Sequence, residues 1–166
     1  MPSDPPLTPH SARSHKTQYV IFNQDQTRLA ISLTSVREVL RLSDQRLTPI
    51  PNSPGFVLGL TNLRGDILTI VDFGKFFGLQ PLNPHHADSR ILIVEAPSPQ
   101  DPTRSVIPLG LAVSHVDTVV TLDPQQMRSA AEASASLVPF LQGLYNHQDQ
   151  LFSVIDIGAI ATCSRW

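Results

Sequence analysis

Residues 59–74 read GLTNLRGDILTIVDFG, and residues 143–158 repeat the pattern without a gap as GLYNHQDQLFSVIDIG. The two segments share their apolar positions, the flanking glycines and the aspartate near the end. The β-branched run of the first segment predicts a buried strand, and Arg64-Gly65-Asp66 predicts a hairpin turn in which Gly65 takes a positive φ. The shared positions indicate a common local fold. The Arg-Gly pair becomes Gln148-Asp149 in the second segment, so it is the first place to look for function.

The repeat extends upstream of these segments. Residues 29–39 align with residues 109–119, and residues 19–22 align with residues 91–94. Each copy is predicted to contain a strand, a turn, an alternating strand, a Pro-rich loop and a final strand–turn–strand unit. Two copies cannot form a repeat array. The sequence therefore predicts an all-β protein with two small β subdomains, at about 17–80 and 90–161.

Composition narrows the possible classes of protein. A net charge of −2 and a pI near 6.3 give no basic face for nucleic acid. No apolar run reaches the roughly 18 residues that a membrane span needs, and no signal peptide is recognisable, so we expect no membrane insertion and a cytoplasmic location. Cys163 is the single cysteine, which argues against a disulfide framework and a Cys-based zinc site. Residues 1–16 are crowded with proline and are predicted to form a disordered tail.

Two local patterns bear on the fold. Phe73, Phe76 and Phe77 have helical spacing before Gly78, which predicts a short helix with a glycine stop and buried phenylalanines. The segment from Val36 to Leu40 is compatible with a helical turn or with an extended strand, and its sequence does not decide between them.

Motifs for catalysis are scarce. The six histidines show no metal-ligand spacing, and neither a G-x-S-x-G nucleophile motif nor a phosphate-binding glycine loop occurs. Asp72 and Asp156 occupy matching strand ends, where they could form an acid–base couple or cap the helices that follow. Capping is the favoured interpretation because the repeat places the two carboxylates at equivalent, separate sites. The sequence thus predicts a binding module that is not an enzyme and needs no cofactor.

The segment from Gly59 to Leu79 resembles the core motif of CheW-like chemotaxis adaptors, in which Asn-Leu-Arg-Gly precedes a strand ending in Asp and a short helix closing with Phe-Gly. Val36-Arg37-Glu38-Val39 looks like the Val-x-Glu-apolar segment of that family. The stretch PFLQGL at 139–144 and the strand to Asp156 look like its C-terminal half. The resemblance covers about Gln18 to Ala161.

The resemblance implies a fold and a function. The fold is two intertwined five-stranded SH3-like β barrels with short helices, forming one domain over residues 17–163 with strands exchanged between the subdomains. The function is that of a non-enzymatic adaptor at membrane-associated chemoreceptor arrays. Its implied partners are the regulatory domain of a CheA-type histidine kinase, bound at one barrel end, and the cytoplasmic tip of a methyl-accepting chemoreceptor, bound as a helical hairpin in the groove between the barrels.

The resemblance also implies a partner-binding site, with no catalytic or metal-binding residues. Its residues by motif match are Val36, Glu38, Asn62, Leu63, Arg64 and Gly65. Arg64 could hold a partner carboxylate or carbonyl through its planar guanidinium, or it could pair internally with Glu38; both remain open. The alternative functions are a stand-alone protein-binding β domain with a non-chemotactic partner and a small hydrolase using Asp72 or Asp156.

Overall fold

The structure, a computed structural model, describes residues 15–101 and 103–166. The strands within these residues are β1 (Thr17–Gln24), β2 (Thr27–Ser32), β3 (Val36–Arg41), β4 (Val57–Leu63), β5 (Asp66–Asp72), β6 (Arg90–Pro97), β7 (Val106–Val113), β8 (His115–Leu122), β9 (Leu141–His147) and β10 (Gln150–Ile155). The α-helices are α1 (Phe73–Phe77) and α2 (Ile157–Ala161). Short 3-10 helices lie at Leu33–Ser35, Leu42–Asp44, Pro124–Gln126, Ala130–Glu132 and Val138–Phe140.

Some sequence predictions fall at the edge of the described chain. The predicted tail at residues 1–16 lies outside the described residues, apart from His15 and Lys16, which are exposed and have no regular structure.

No helix within the described ranges combines the length and the apolar character that crossing a bilayer requires.

The ten strands form two five-stranded sheets. Sheet 1 has the order β8-β1-β2-β10-β9, and sheet 2 has the order β3-β6-β7-β5-β4. Neighbours are antiparallel except for β2 with β10 and β5 with β7, which are parallel. The prediction of an all-β fold with two five-stranded units and short helices is confirmed.

The two sheets are related by the sequence repeat. Replacing each strand β1 to β5 by its counterpart β6 to β10, and the reverse, converts the order of one sheet into the order of the other. Sheet 1 takes β1 and β2 from the first copy and three strands from the second, whereas sheet 2 takes β6 and β7 from the second copy and three strands from the first. Neither copy alone therefore contains all the strands of a sheet.

Each sheet curls around a small core of its own. All five strands of sheet 1 contribute to a cluster that includes Tyr19, Ala30 and Tyr145, and all five strands of sheet 2 contribute to a second cluster around Ile70 and Ile91. Side chains from both edges and the centre of a sheet can meet on one face only if the sheet is strongly curved. This curvature is the geometry expected of SH3-like barrels.

A third and larger cluster lies between the two sheets. It combines residues of β1 and β2 with residues of β5, β6 and β7, and the helices α1 and α2 add to it. Phe73, Phe76 and Phe77 are 0 %, 3 % and 1 % exposed there, which confirms the prediction that they are core residues. Burying a side chain of this size stabilises the fold by about 1.5–3 kcal/mol. The shared core thus holds the two sheets together.

The local predictions around the short helices are confirmed. Helix α1 is followed by the capping residue Gly78, which has a φ of 69°. The carboxylate of Asp72 accepts the N–H of Lys75 at 3.1 Å, and that of Asp156 accepts the N–H of Ala159 at 3.2 Å, so both aspartates are helix caps. The open choice at residues 36–40 is decided in favour of a strand, β3, which follows a single 3-10 turn.

Candidate functional site

The candidate residues converge at one end of sheet 2. Glu38 lies on β3 and Arg64 lies at the turn between β4 and β5, and β3 and β4 are the two terminal strands of this sheet. Nη2 of Arg64 donates a hydrogen bond to Oε2 of Glu38, forming an ion pair. The pair joins strands that are four positions apart in the strand order, because the curvature of the sheet brings its ends together.

The turn that carries Arg64 has a defined geometry. Arg64 and Gly65 have φ values of 52° and 92°, the pattern of a two-residue hairpin whose twist matches the flanking strands. The positive φ predicted for Gly65 is confirmed. Oδ1 of Asn62 accepts the N–H of Gly65 at 2.9 Å, which fixes the turn from within. The Asn-Leu-Arg-Gly motif therefore fixes the turn on which Arg64 lies.

The site is more exposed at Arg64 than at Glu38. The Arg64 side chain is 65 % exposed and the Glu38 side chain is 23 % exposed. Among the contacts of the described residues, Arg64 uses one terminal nitrogen of its guanidinium, so its other N–H groups face solvent. An arginine offers five N–H donors in a planar fork. The internal pair that the sequence left open thus exists and leaves most of the donor capacity unused.

Two of the six motif residues have packing roles. Val36 is half-buried against the core between the sheets, and Leu63 is half-buried against the core of sheet 2. The structure therefore brings Glu38, Asn62, Arg64 and Gly65 together at the hairpin, whereas the side chains of Val36 and Leu63 pack against the cores.

A second ion pair next to the first was not anticipated from the sequence. Both terminal nitrogens of Arg37 lie 3.4 Å from Oδ2 of Asp66, the residue that begins β5. Arg37 and Glu38 are neighbours on β3, and neighbours on a regular strand point to opposite faces. The opposite charges of Arg37 and Asp66 are compatible with a pair, but the pair forms only because the pairing of β3 with β6 shifts register between Val36 and Glu38. No local sequence pattern predicts that shift.

Comparison with known proteins settles the family. The sequence model of the family described as the CheW-like domain matches residues 18–163. This chain belongs to the CheW-like family. The chemotaxis protein CheW of Klebsiella aerogenes is 30% identical over 141 residues, which cover 84% of this chain and 78% of that protein. A probable chemotaxis protein CheW of Rhizobium etli is 26% identical over 144 residues, covering 86% of each chain.

A solved structure agrees with the fold of this CheW-like protein. The scaffolding protein TtCheW from Thermoanaerobacter tengcongensis superimposes with a TM-score of 0.77 at 25% sequence identity. The match covers 91% of this chain and 96% of that chain. The resemblance inferred from the motif residues is thereby confirmed over nearly the whole chain.

The second copy of this CheW-like domain builds the equivalent place differently. Gln148 and Asp149 keep the same turn with φ values of 51° and 60°, but Thr118 stands where Glu38 stands in the first copy. Beside Thr118, Asp117 pairs instead with Arg28 on β2, whose Nη2 lies 2.7 Å from Oδ2 of Asp117. The Arg–Glu pair is therefore a specialisation of one copy, and the turn geometry belongs to both.

An open groove runs beside the hairpin of the CheW-like domain. It has a volume of about 550 Å³, and Asp44, Arg46, Leu60, Asn62 and Ile67 are among the residues that line it. Ile67, on the outer side of β5, is 61 % exposed. The groove combines apolar surface with charged groups of both signs, which suits a protein partner better than a small apolar ligand.

Exposed apolar side chains occur at equivalent positions of the two sheets. Val39 and Ile67 on sheet 2 are 42 % and 61 % exposed, and their counterparts on sheet 1, Val119 and Leu151, are 46 % and 53 % exposed. Single exposed apolar residues are common on protein surfaces. Their recurrence at matching positions follows the sequence repeat and leaves apolar side chains on the outer surface of each sheet.

The two aspartates considered for hydrolysis have structural partners. Asp72 is 1 % exposed, and besides the N–H of Lys75 it accepts the N–H of Leu82 at 3.2 Å from Oδ2. Asp156 caps α2, and the two aspartates lie at the ends of β5 and β10, which belong to different sheets. Helix capping accounts for both carboxylates without a catalytic role.

Proposed function

We propose that this CheW-like protein is a non-enzymatic adaptor that couples chemoreceptors to a CheA-type histidine kinase in chemotaxis or motility signalling. The observation that carries the proposal is the exposed Arg64, held by Glu38 at the β4–β5 turn of a chain whose relatives are named as chemotaxis proteins. The proposed partners are the cytoplasmic tip of a methyl-accepting chemoreceptor and the regulatory domain of the kinase. The proposed location is the cytoplasmic side of a receptor array.

The geometry of Arg64 suits recognition of an oxygen acceptor. A guanidinium binds a carboxylate or a carbonyl through parallel N–H groups, and such charge-assisted bonds are about twice as strong as neutral ones. The bond to Glu38 restricts the Arg64 rotamer before any partner arrives, so less conformational entropy is lost on binding. Internal pairing and partner contact are therefore compatible, since the pair with Glu38 engages one nitrogen.

Contact with the kinase would use a different kind of surface. The resemblance to the family implies that one barrel end docks on a matching domain of the kinase. The exposed apolar residues on the outer surfaces of sheets 1 and 2 supply contact area for such a domain. A few well-packed residues near the centre of an interface usually carry most of its binding energy.

The test is binding of the purified protein to the regulatory domain of its co-encoded CheA-type kinase, and to the cytoplasmic fragment of a co-encoded chemoreceptor, by pull-down and calorimetry. Wild type, Arg64→Ala and Gln148→Ala are compared. Gln148 occupies the equivalent turn position with the same positive φ, so Gln148→Ala controls for the cost of changing the turn.

We expect the wild type to bind both partners. Arg64→Ala should weaken receptor binding by about tenfold, the loss of a charge-assisted contact, while kinase binding and Gln148→Ala stay near wild type. Equal receptor affinities for Arg64→Ala and the wild type would show that Arg64 only braces β3. Failure of the wild type to bind any co-encoded kinase would favour the alternative, a β domain with a non-chemotactic partner.

A further inference from the structure

Strand β3 contains a β-bulge that lets two neighbouring side chains, Arg37 and Glu38, contact the same β4–β5 hairpin. Val36 pairs with Val94 and Glu38 pairs with Ile93, so Arg37 is an extra residue without a partner in β6. A bulge redirects the side chains around it. As a result, Glu38 reaches Arg64 and Arg37 reaches Asp66. Two ion pairs thus connect β3 with the hairpin, and β3 supplies the cation in one and the anion in the other.

The Arg37–Asp66 pair contributes little to stability. The Arg37 and Asp66 side chains are 39 % and 53 % exposed, and exposed pairs of this kind are worth little in folding. The consequence of the pair is electrostatic. Asp66 is two residues from Arg64, and without Arg37 its carboxylate would be an unpaired negative charge on the hairpin that carries the exposed guanidinium.

The same bulge recurs in sheet 1 and supports a role for its extra residue. Ile21 pairs with Thr118 and Phe22 pairs with Val116, so Asp117, the counterpart of Arg37, is the extra residue of β8. Asp117 binds Arg28, and Arg28 also donates at 2.5 Å to Gln150, the counterpart of Asp66.

In both sheets the bulged residue is therefore tied to the start of the second hairpin strand. In sheet 1 the bulged residue is an anion, and its tie runs through an additional arginine. In sheet 2 the bulged residue is a cation that meets the hairpin carboxylate directly. The direct Arg37–Asp66 pairing is particular to the copy that carries Arg64.

We propose that Arg37 is a positioning residue for partner recognition by Arg64. Arg37 holds and neutralises the Asp66 carboxylate, which leaves the exposed donors of Arg64 available to a carboxylate or carbonyl of the partner. This inference rests on the proposed function, because it assigns a supporting role at the same site. It predicts that the charge of Asp66, once released, competes with the partner for Arg64.

The experiment is a calorimetric titration with the cytoplasmic helical fragment of a co-encoded chemoreceptor. The proteins compared are the wild type, Arg37→Gln, Asp66→Asn and the double variant. We expect Arg37→Gln to weaken binding by about three- to fivefold, the scale of a partly screened charge effect. Asp66→Asn should bind like the wild type, and the double variant should recover the wild-type affinity within about twofold. Arg41→Gln is the matched control, because Arg41 is exposed on the same strand and forms no ion pair within the described residues.

Two results would overturn the proposal: wild-type affinity in Arg37→Gln, or a double variant that stays as weak as Arg37→Gln. A loss of structure in β3 would weaken both alike, whereas only release of the Asp66 charge is rescued by Asp66→Asn.

The Nε–Hε resonance of Arg64 in NMR spectra provides a test without a partner. It should shift in Arg37→Gln and return in the double variant; a resonance unchanged by Arg37→Gln overturns the proposal. Failure of the wild type to bind the receptor fragment would count against the proposed function and leaves this second test in force.

Discussion

At the scale of single residues, two equivalent glycines are required by a close approach of backbone. A Cβ on Gly59 would lie 2.5 Å from the carbonyl oxygen of Thr48, and a Cβ on Gly143 would lie 2.5 Å from that of Arg128. These approaches arise because isolated bridges connect Thr48 with Leu60 and Arg128 with Leu144. The glycine shared by both copies therefore allows a crossing segment to pair with β4 or β9.

Alanine at these glycines should destabilise the protein. We expect Gly59→Ala and Gly143→Ala to lower the free energy of unfolding by roughly 1–3 kcal/mol, the usual cost of forcing atoms into a packed site. Gly59→Ala should cost more, because its φ of 147° is also strained for alanine. Urea unfolding measures the difference. Gly55→Ala is the control, since its Cβ would meet no atom within 4 Å; an equal loss in Gly55→Ala would contradict the argument.

Residue-scale reasoning from the sequence succeeded where the cause is local. The positive φ of Gly65, the glycine at the end of α1 and the two aspartate caps each depend on a few consecutive residues. The sequence did not predict the pairing of Arg37 with Asp66, because that pairing requires the bulge in β3 opposite Val94 and Ile93 of β6, a strand that is far from β3 in sequence. Local patterns cannot report on a register shift between strands that are far apart in sequence.

At the scale of elements, both copies contain the same unit of strand, capping aspartate and short helix, but the capping aspartate is more deeply buried in the first copy. Asp72 begins α1 and also binds the backbone of Leu82, in the segment that leads to the second copy. Asp156 is half-buried, and within the described residues its carboxylate accepts a hydrogen bond from the N–H of Ala159 only. The Asp72 unit thus anchors both a helix and the connection between the copies.

The difference between the two caps is measurable. We expect Asp72→Ala to lower the free energy of unfolding by about 2–3 kcal/mol, because it removes a cap and leaves a buried N–H without a partner. Asp156→Ala should cost about 1 kcal/mol, the usual value for losing a cap. Chemical denaturation of both variants under one set of conditions gives the comparison. Equal losses would show that the bond to Leu82 adds nothing.

At the scale of the whole molecule, the interleaving of the copies is the dominant feature. Each sheet draws two strands from one copy and three from the other, and the largest core cluster includes residues of both sheets. We propose that residues 17–163 fold as one domain and that neither copy is an independent unit. The physical reason is that an isolated copy would leave strand edges unpaired and core faces exposed.

Division of the chain tests this proposal. Fragments 15–80 and 90–166, prepared separately, should each give the circular dichroism and NMR spectra of unfolded chains. When the fragments are mixed, the spectra of the intact protein should be recovered, because all ten strands are then present. A dispersed NMR spectrum from either fragment alone would contradict the proposal. The intact protein should unfold in a single cooperative transition.

The sequence by itself determined the repeat, the strand and turn pattern of each copy, the helix caps and the resemblance to the CheW-like family, because each can be read from short runs of consecutive residues or from the comparison of two such runs. Tertiary structure alone decided which strands share a sheet, the closure of sheet 2 by Glu38 and Arg64, and the second pair between Arg37 and Asp66. Those features depend on long-range register and on the curvature of the sheets, which bring distant residues together.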